Sequence, residues 1–236
     1  MGRRSARRDE GAFVIEGPGL VAEAVAGGVE LEAVYVEHGS LDQVSAALDL
    51  PAGVPVRELA PGVLERVAST VSPQPVLAIA RRCDVPLSAL TGWAVVAAGV
   101  GDPGNLGTIL RVAEAAGAAR VVALEGTVDV FSPKVVRASA GAIFHVPVTV
   151  DVAPADLRAL GATMWATAAQ GGVPYTEAAL EPPLALVLGN EAHGIPAGLT
   201  VDGTLSIPHA GRAESLNVAM AAAVLCFEVA RRLSPT

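Results

Sequence analysis

The stretch that decides the fold is WAVVAAGVGDPGNLGTILRVAEAAGAARVVAL, Trp93 to Leu124. It opens on a continuous apolar run, Trp93 to Ala98, of the kind that forms a strand buried on both faces. A turn with Gly99, Gly101 and Gly104 follows, and from Asn105 to Ala116 apolar residues recur at helical spacing. Leu106, Ile109, Leu110, Ala113 and Ala116 make the apolar stripe, and Arg111 lies off it. Arg120 to Leu124 is apolar and β-rich again. Strand, helix, strand in about thirty residues is a βαβ unit, and it requires a parallel sheet.

Working outward, the same alternation runs along the whole chain and predicts an α/β protein with mainly parallel sheet. Downstream, strands are expected at Val146 to Val150, Met164 to Ala168, Leu184 to Leu188 and Leu205 to Ile207, and an alanine-rich helix closes the chain from Leu216 to Leu233. Upstream, strands are expected at Phe13 to Ile15, Ala33 to Val36, Val54 to Val56 and Val76 to Ala80, with helices between them. Pro86 and Gly92 break the pattern between these two groups. The expected organisation is a flexible basic tail over residues 1–10, a first domain over 11–82, a linker over 83–91 and a second domain over 92–236.

Composition narrows the class. Of 236 residues 52% are hydrophobic and 17% charged, which requires a buried core and excludes disorder. The longest apolar run, Val218 to Phe227, is shorter than the roughly 18 residues of a membrane span, so no membrane partner is expected. Two cysteines far apart, and no apolar leader after Met1, fit a cytoplasmic protein. The net charge of -8 excludes coating nucleic acid through bulk charge, so any nucleic-acid site must be a local arginine patch. Lys134 is the only lysine, and eight aromatic residues are too few for a broad base-stacking platform. His38, His145, His193 and His209 show no metal-ligand spacing, and no metal is expected.

Three separated stretches carry the chemistry. GDPGNLGTILRVAEAAGA (Gly101 to Ala118), LALVLGNEAHGIP (Leu184 to Pro196) and LSIPHAGRAESLNVAMAAAVLCFEVARRL (Leu205 to Leu233) resemble, in this order, the three motifs of the SpoU or TrmH branch of the SPOUT RNA methyltransferases. SPKVVRASAGAIFHVPV (Ser132 to Val148) is similar to a further family stretch. AFVIEGPGLVAEAVAGG (Ala12 to Gly28) and TVSPQPVLAI (Thr70 to Ile79) look like the substrate-binding domain many members carry, a small α/β fold akin to RNA-binding ribosomal proteins. Asp102 stands where the family has asparagine, His209 where it has methionine and Phe227 where it has tyrosine.

The resemblance implies a C-terminal domain with a trefoil knot, a homodimer, and transfer of a methyl group from S-adenosylmethionine to a ribose 2′-hydroxyl of RNA, with rRNA favoured over tRNA. It marks Arg111, Asn105, Glu191, Ser215 and Asn217 for catalysis. It places the cofactor against Leu188, Gly189, Asn190, Gly194, Ile207, Pro208, Ser215 and Leu216, and RNA against Arg111, Lys134, Arg137 and Arg212. An arginine stays protonated, so Arg111 suits holding a phosphate better than acting as a base.

The residues themselves leave other readings open. Arg111 could be a solvated helix arginine, Asn105 the helix N-cap, and Ser215 the cap of the last helix. Asn217 has no evident structural reason to be polar in so apolar a run. The glycines 99, 101 and 104 with Glu125 match a dinucleotide fingerprint, which makes a nicotinamide-dependent oxidoreductase one alternative. A non-catalytic RNA-binding module of the same fold is another.

Overall fold

The computed structural model describes residues 3–168, 171–190, 193–196, 198–212 and 215–234. In chain order the elements are α1 (Arg4–Glu10), β1 (Ala12–Glu16), α2 (Pro18–Ala26), β2 (Leu31–Val36), α3 (Leu41–Ala47), β3 (Val56–Glu58), α4 (Val63–Val67) and β4 (Val76–Arg81). They continue with β5 (Trp93–Ala98), α5 (Pro103–Ala115), β6 (Arg120–Leu124), α6 (Pro133–Ala138), β7 (Val148–Val152), β8 (Thr163–Thr167), β9 (Val173–Pro174), β10 (Leu184–Gly189), β11 (Gly203–Ser206) and α7 (Val218–Leu233). Two compact units form, one from the chain up to Cys83 with Asp129–His145, the other from Asp84–Val128 with Val146–Thr236.

The first unit holds a four-stranded sheet in the order β1-β4-β2-β3. β4 runs antiparallel to both β1 and β2, and only β2 and β3 are parallel. This small sheet is therefore mixed where alternation of strand and helix suggests parallel pairing. Periodicity reports which face of a strand is buried and carries no information on the direction of its neighbour.

Two features of this unit differ from the sequence-based expectation. Residues 4–10 are a helix and not a flexible tail: Arg7 is 5% exposed, and its Nε donates to Asp129 Oδ2 at 2.7 Å. A buried guanidinium needs a paired acceptor, and Asp129 supplies it from a distant part of the chain. Residues 129–145, assigned by sequence position to the second domain, pack here instead. Phe131 lies with its ring centroid 5.0 Å from that of Phe13, and Phe144 at 6.4 Å. Ser132 caps α6, Pro133 opens it, and Val135 and Val136 are buried. Apolar side chains of this segment find their partners across more than a hundred residues of sequence, which local reading cannot anticipate.

The second unit holds a seven-stranded parallel sheet in the order β7-β6-β5-β10-β8-β11-β9. Its central strands β5 and β10 are buried at every residue, as continuous apolar runs require when both faces of a parallel sheet are covered. One face packs against Leu157 and Leu160 of a 3-10 turn, Pro154–Leu160, through Val96, Val122, Met164 and Val187. Helices α5 and α7 pack against each other, and α7 also meets β10. The two-residue β9, paired with Leu205 and Ser206, makes a seventh strand where six were expected, being too short to show a period. Residues 84–91 are bound into this unit, with Val85 N–H donating to the Val148 carbonyl and Leu90 N–H to the Leu160 carbonyl, both hydrogen bonds spanning 2.8–2.9 Å.

The helix starts are set by side-chain caps, and not by those the sequence suggests. Asp102 Oδ1 accepts from Asn105 N–H at 2.8 Å, so Asp102 is the N-cap of α5 and Asn105 sits inside the first turn. The last helix begins at Val218 and not Leu216, because Asn217 caps it: its Oδ1 accepts from Ala219 N–H at 2.9 Å. Ser215 is two residues too early to cap it. The polar residue without an evident structural reason thus has one.

Candidate active site

In parallel sheets ligands bind beyond the carboxyl ends of the strands, where helix starts and loop backbones converge. Here three loops are tied together at that edge. Asn190 closes a tight loop after β10, with Asn190 N–H donating to the Gly194 carbonyl at 2.7 Å and Gly194 N–H returning to the Asn190 carbonyl at 2.8 Å. Asn190 Nδ2 donates to the Gly99 carbonyl at 2.9 Å, joining this loop to the one after β5. Gly99 N–H in turn donates to Thr127 Oγ1 at 3.1 Å, and that hydroxyl donates to the Ala97 carbonyl at 2.9 Å, bringing in the loop after β6.

Gly189, the last residue of β10, makes the close approach possible. A Cβ there would lie 2.6 Å from the Gly194 carbonyl carbon and 2.9 Å from Ile195 N, distances no side chain tolerates. The requirement is for space, since both obstacles are backbone.

Beside this loop lies a cavity of about 400 Å³. The end of β10 and the loop after it contribute Gly189, Asn190 and Gly194, and β11 with the segment after it contributes Leu205, Ile207 and His209. Ser215, Leu216, Asn217, Val218 and Ala221 line it from the start of α7, and Thr167 and Ala168 from the end of β8. The volume suits a cofactor-sized ligand, and the walls combine a larger apolar share with backbone groups and a few small polar side chains. His209 is the only titratable side chain among the described lining residues. Cys226, buried in α7, has its thiol pushed up to about 12 by burial and is inert at neutral pH. Among the described residues no cluster could hold a metal ion.

The cavity brings together Gly189, Asn190, Gly194, Ile207, Ser215, Leu216 and Asn217 from the sequence-based set. Asn105 joins them through Asn217, whose Nδ2 donates to Asn105 Oδ1 at 3.0 Å. Leu188 is buried inside β10 opposite Ala97, and neither it nor Pro208 is among the described lining residues. Arg111 is exposed on α5 and does not line the cavity. Arg212 and Lys134 are exposed; Arg137 lies in the first unit, where its guanidinium donates to Glu16 Oε2 at 2.7 Å and to the Ser69 hydroxyl. Glu191 lies outside the described residues. The lining residues Thr167, Ala168, Leu205, Val218 and Ala221 were not singled out by sequence. Their signal was only positional, at a strand end or in the first turn of the last helix.

The glycines of the dinucleotide pattern do other work. Gly99 holds the Asn190 and Thr127 contacts, and none of Gly99, Gly101 and Gly104 is among the described lining residues. This cavity therefore lends the oxidoreductase reading no support.

Residues 92–227 match the SpoU rRNA Methylase family, and residues 1–78 match the MRM3-like substrate binding domain. The chain is 36% identical over 228 residues to the 23S rRNA (guanosine(2553)-2′-O)-methyltransferase RlmP of Bacillus subtilis, covering 94% of this chain and 90% of that protein. It is 36% identical over 178 residues to the 23S rRNA (guanosine-2′-O-)-methyltransferase RlmB of Ralstonia nicotianae, covering 72% of each. An AdoMet-bound rRNA methyltransferase from Sinorhizobium meliloti superposes with a TM-score of 0.85 at 32% identity, covering 99% of this chain and 92% of that one.

Proposed function

From the premise that this chain belongs to the SpoU rRNA methylase family, we propose that the cavity beside Gly189 binds S-adenosylmethionine and that the protein methylates a ribose 2′-hydroxyl in ribosomal RNA. The observation that carries it is the meeting of the second and third motif stretches on one cleft, to which the first is tied by the Asn217–Asn105 hydrogen bond, with a glycine where any Cβ would strike the loop backbone. When bound, S-adenosylmethionine supplies a methyl group on a sulfonium, open to in-line displacement by a hydroxyl oxygen.

The chain's own residues do the placing. The Asn190–Gly194 bridge and the cap at Asn217 fix the loop and helix start between which the ligand lies. Apolar Leu205, Ile207, Leu216 and Val218 exclude water from one side of it. Asn105 and Asn217 present amide groups at the rim, suited to orienting a ribose hydroxyl. Arg111 and Arg212 are exposed cations on this unit, and in this proposal they hold RNA phosphates, as Lys134 does from the first unit. Arg111 thereby lowers the cost of the alkoxide that forms as the hydroxyl loses its proton. Glu191 belongs to the proposed catalytic set on the family pattern alone.

Three finer statements belong to the same proposal. The substrate is rRNA and not tRNA, in keeping with the relatives named for 23S rRNA. The protein is a homodimer, supported by Met220, Val224 and Phe227, which are 64%, 36% and 52% exposed and recur at helical spacing along α7. The chain threads the trefoil knot of its family and works in the cytoplasm; among the described residues no helix is long and apolar enough to cross a membrane.

Incubation of the purified protein with methyl-labelled S-adenosylmethionine and rRNA from a strain lacking the gene tests this. Label is expected at one ribose 2′-oxygen, located by mass spectrometry of nuclease fragments. Label on a base, or cofactor binding without transfer to any RNA, would overturn the reading.

A further inference from the structure

The first unit contains a cavity of about 590 Å³ that shares no residue with the one beside Gly189. Its walls decide what it can hold. One is built by Arg137 and Glu16, and these cancel each other: the Glu16 side chain is 10% exposed and accepts from the Arg137 guanidinium at 2.7 Å. The remaining formal charge on the lining is Glu23, half-exposed, with Oε2 2.8 Å from His145 Nε2. A phosphate would meet an anionic wall with no uncommitted cation among the described lining residues, so the site disfavours phosphate.

Beside the acceptor-only Glu23 carboxylate, the walls offer groups that both donate and accept, with apolar flanks. Gln74, Ser72 and Thr70 bring an amide and two hydroxyls from the segment before β4, and Leu20 and Ala140 are the apolar parts. Gln74 is seated against the chain at Gly17: a Cβ there would lie 2.5 Å from Gln74 Oε1, and Gly17 has φ +95°. The φ of Gly17 calls for glycine, and the lack of a side chain there leaves room for the Gln74 amide.

A planar heterocycle fits these walls, and among the RNA bases one matches best. Guanine carries two adjacent donors, N1–H and the N2 amino group, which a carboxylate can accept side by side. Adenine, cytosine and uracil each place an acceptor next to their donor, which would face the Glu23 carboxylate with repulsion. We propose that this cavity takes an unstacked guanine of the substrate RNA, with Glu23 reading the Watson–Crick edge and Gln74, Ser72 and Thr70 contacting the rest of the ring. This rests on the RNA methyltransferase reading, and it agrees with the general preference of protein side chains for splayed-out bases in single-stranded RNA.

The test uses guanosine and adenosine 5′-monophosphate as probes on the full-length protein, followed by amide NMR shifts, with methyl transfer to rRNA measured on the same preparation. Guanosine monophosphate is expected to move the signals of Gly17, Gly19, Ser72 and Gln74, and to bind at least about tenfold more tightly than the adenosine nucleotide. Glu23→Gln should cost about tenfold or more in guanosine nucleotide affinity without weakening the adenosine nucleotide, because an amide presents a donor beside its acceptor. Unchanged S-adenosylmethionine affinity in that variant shows that it is folded. Equal affinity for both nucleotides, no shift at these residues, or an indifferent Glu23→Gln variant would overturn the assignment. Transfer without guanine selectivity removes this inference alone, and guanine selectivity without transfer removes the methyltransferase reading alone.

Discussion

Asn217 Nδ2 donates to Asn105 Oδ1 at 3.0 Å, so two residues 112 positions apart join the start of α7 to the first turn of α5. The same Asn217 accepts from Ala219 and Met220 N–H groups, which makes one side chain both helix cap and cross-link. Asn217→Ala should therefore destabilise the protein by about 1 kcal/mol through the lost cap, lowering the melting temperature by roughly 2–4 °C. Asn217→Asp keeps the acceptor but not the donor, and calorimetry should place its melting temperature between those of wild type and Asn217→Ala.

Gly189→Ala puts a methyl group 2.6 Å from the Gly194 carbonyl carbon, and only backbone movement can relieve that. S-adenosylmethionine affinity, read by titration calorimetry, should fall at least about tenfold, since about 1.4 kcal/mol of distortion suffices. Gly101→Ala is the matched control, because nothing lies within 4 Å of its Cβ position. Its affinity should stay within about twofold.

Arg111 is exposed and stands outside the cavity lining, so Arg111→Ala should leave S-adenosylmethionine affinity within a few-fold. Methyl transfer to RNA should fall by a factor on the order of 10²–10³, the scale of losing one charge-stabilising group. A parallel loss of cofactor affinity would show that Arg111 acts through the cavity and not on RNA.

Phe131 is 1% exposed and packs on Phe13 at 5.0 Å between ring centroids, with the Arg82 guanidinium over its ring at 5.0 Å. Phe131→Ala should cost roughly 3–5 kcal/mol in urea unfolding, the range for an aromatic truncated in a core. Lys134→Ala, three residues on but exposed, should fall within about 0.5 kcal/mol of wild type.

Hydrogen bonds from Arg231 and Arg232 hold the Glu228 carboxyl down to about 2, and Arg232 also donates to the Ala178 carbonyl at 2.6 Å. A lowered carboxyl value stabilises the fold above the ordinary value of 4.5, and that stabilisation is lost as pH falls towards 2. Glu228→Gln should thus melt below wild type at pH 7, and the gap should close as the melts are repeated down to pH 2–3.

The three motif stretches were legible only through their resemblance to a family, while the βαβ core, its apolar central strands and the amphipathic α5 could all be read from spacing within a dozen or so residues. Such features depend on neighbours in sequence, where period and capping chemistry act. The caps themselves were misread by two or three residues, at Asp102 for Asn105 and at Asn217 for Ser215, because several adjacent polar residues compete for the same orphan N–H groups. The homing of Asp129–His145 onto the first unit, the burial of Arg7 and the joining of Asn190 to Gly99 belonged to tertiary structure. Each depends on a partner some 90–120 residues away, and the energy of such a contact exists only once loop closure has been overcome by the packing of everything between. Sequence thus determined the kind of layers and the chemical inventory of this protein, while folding in three dimensions decided which side chains share a wall.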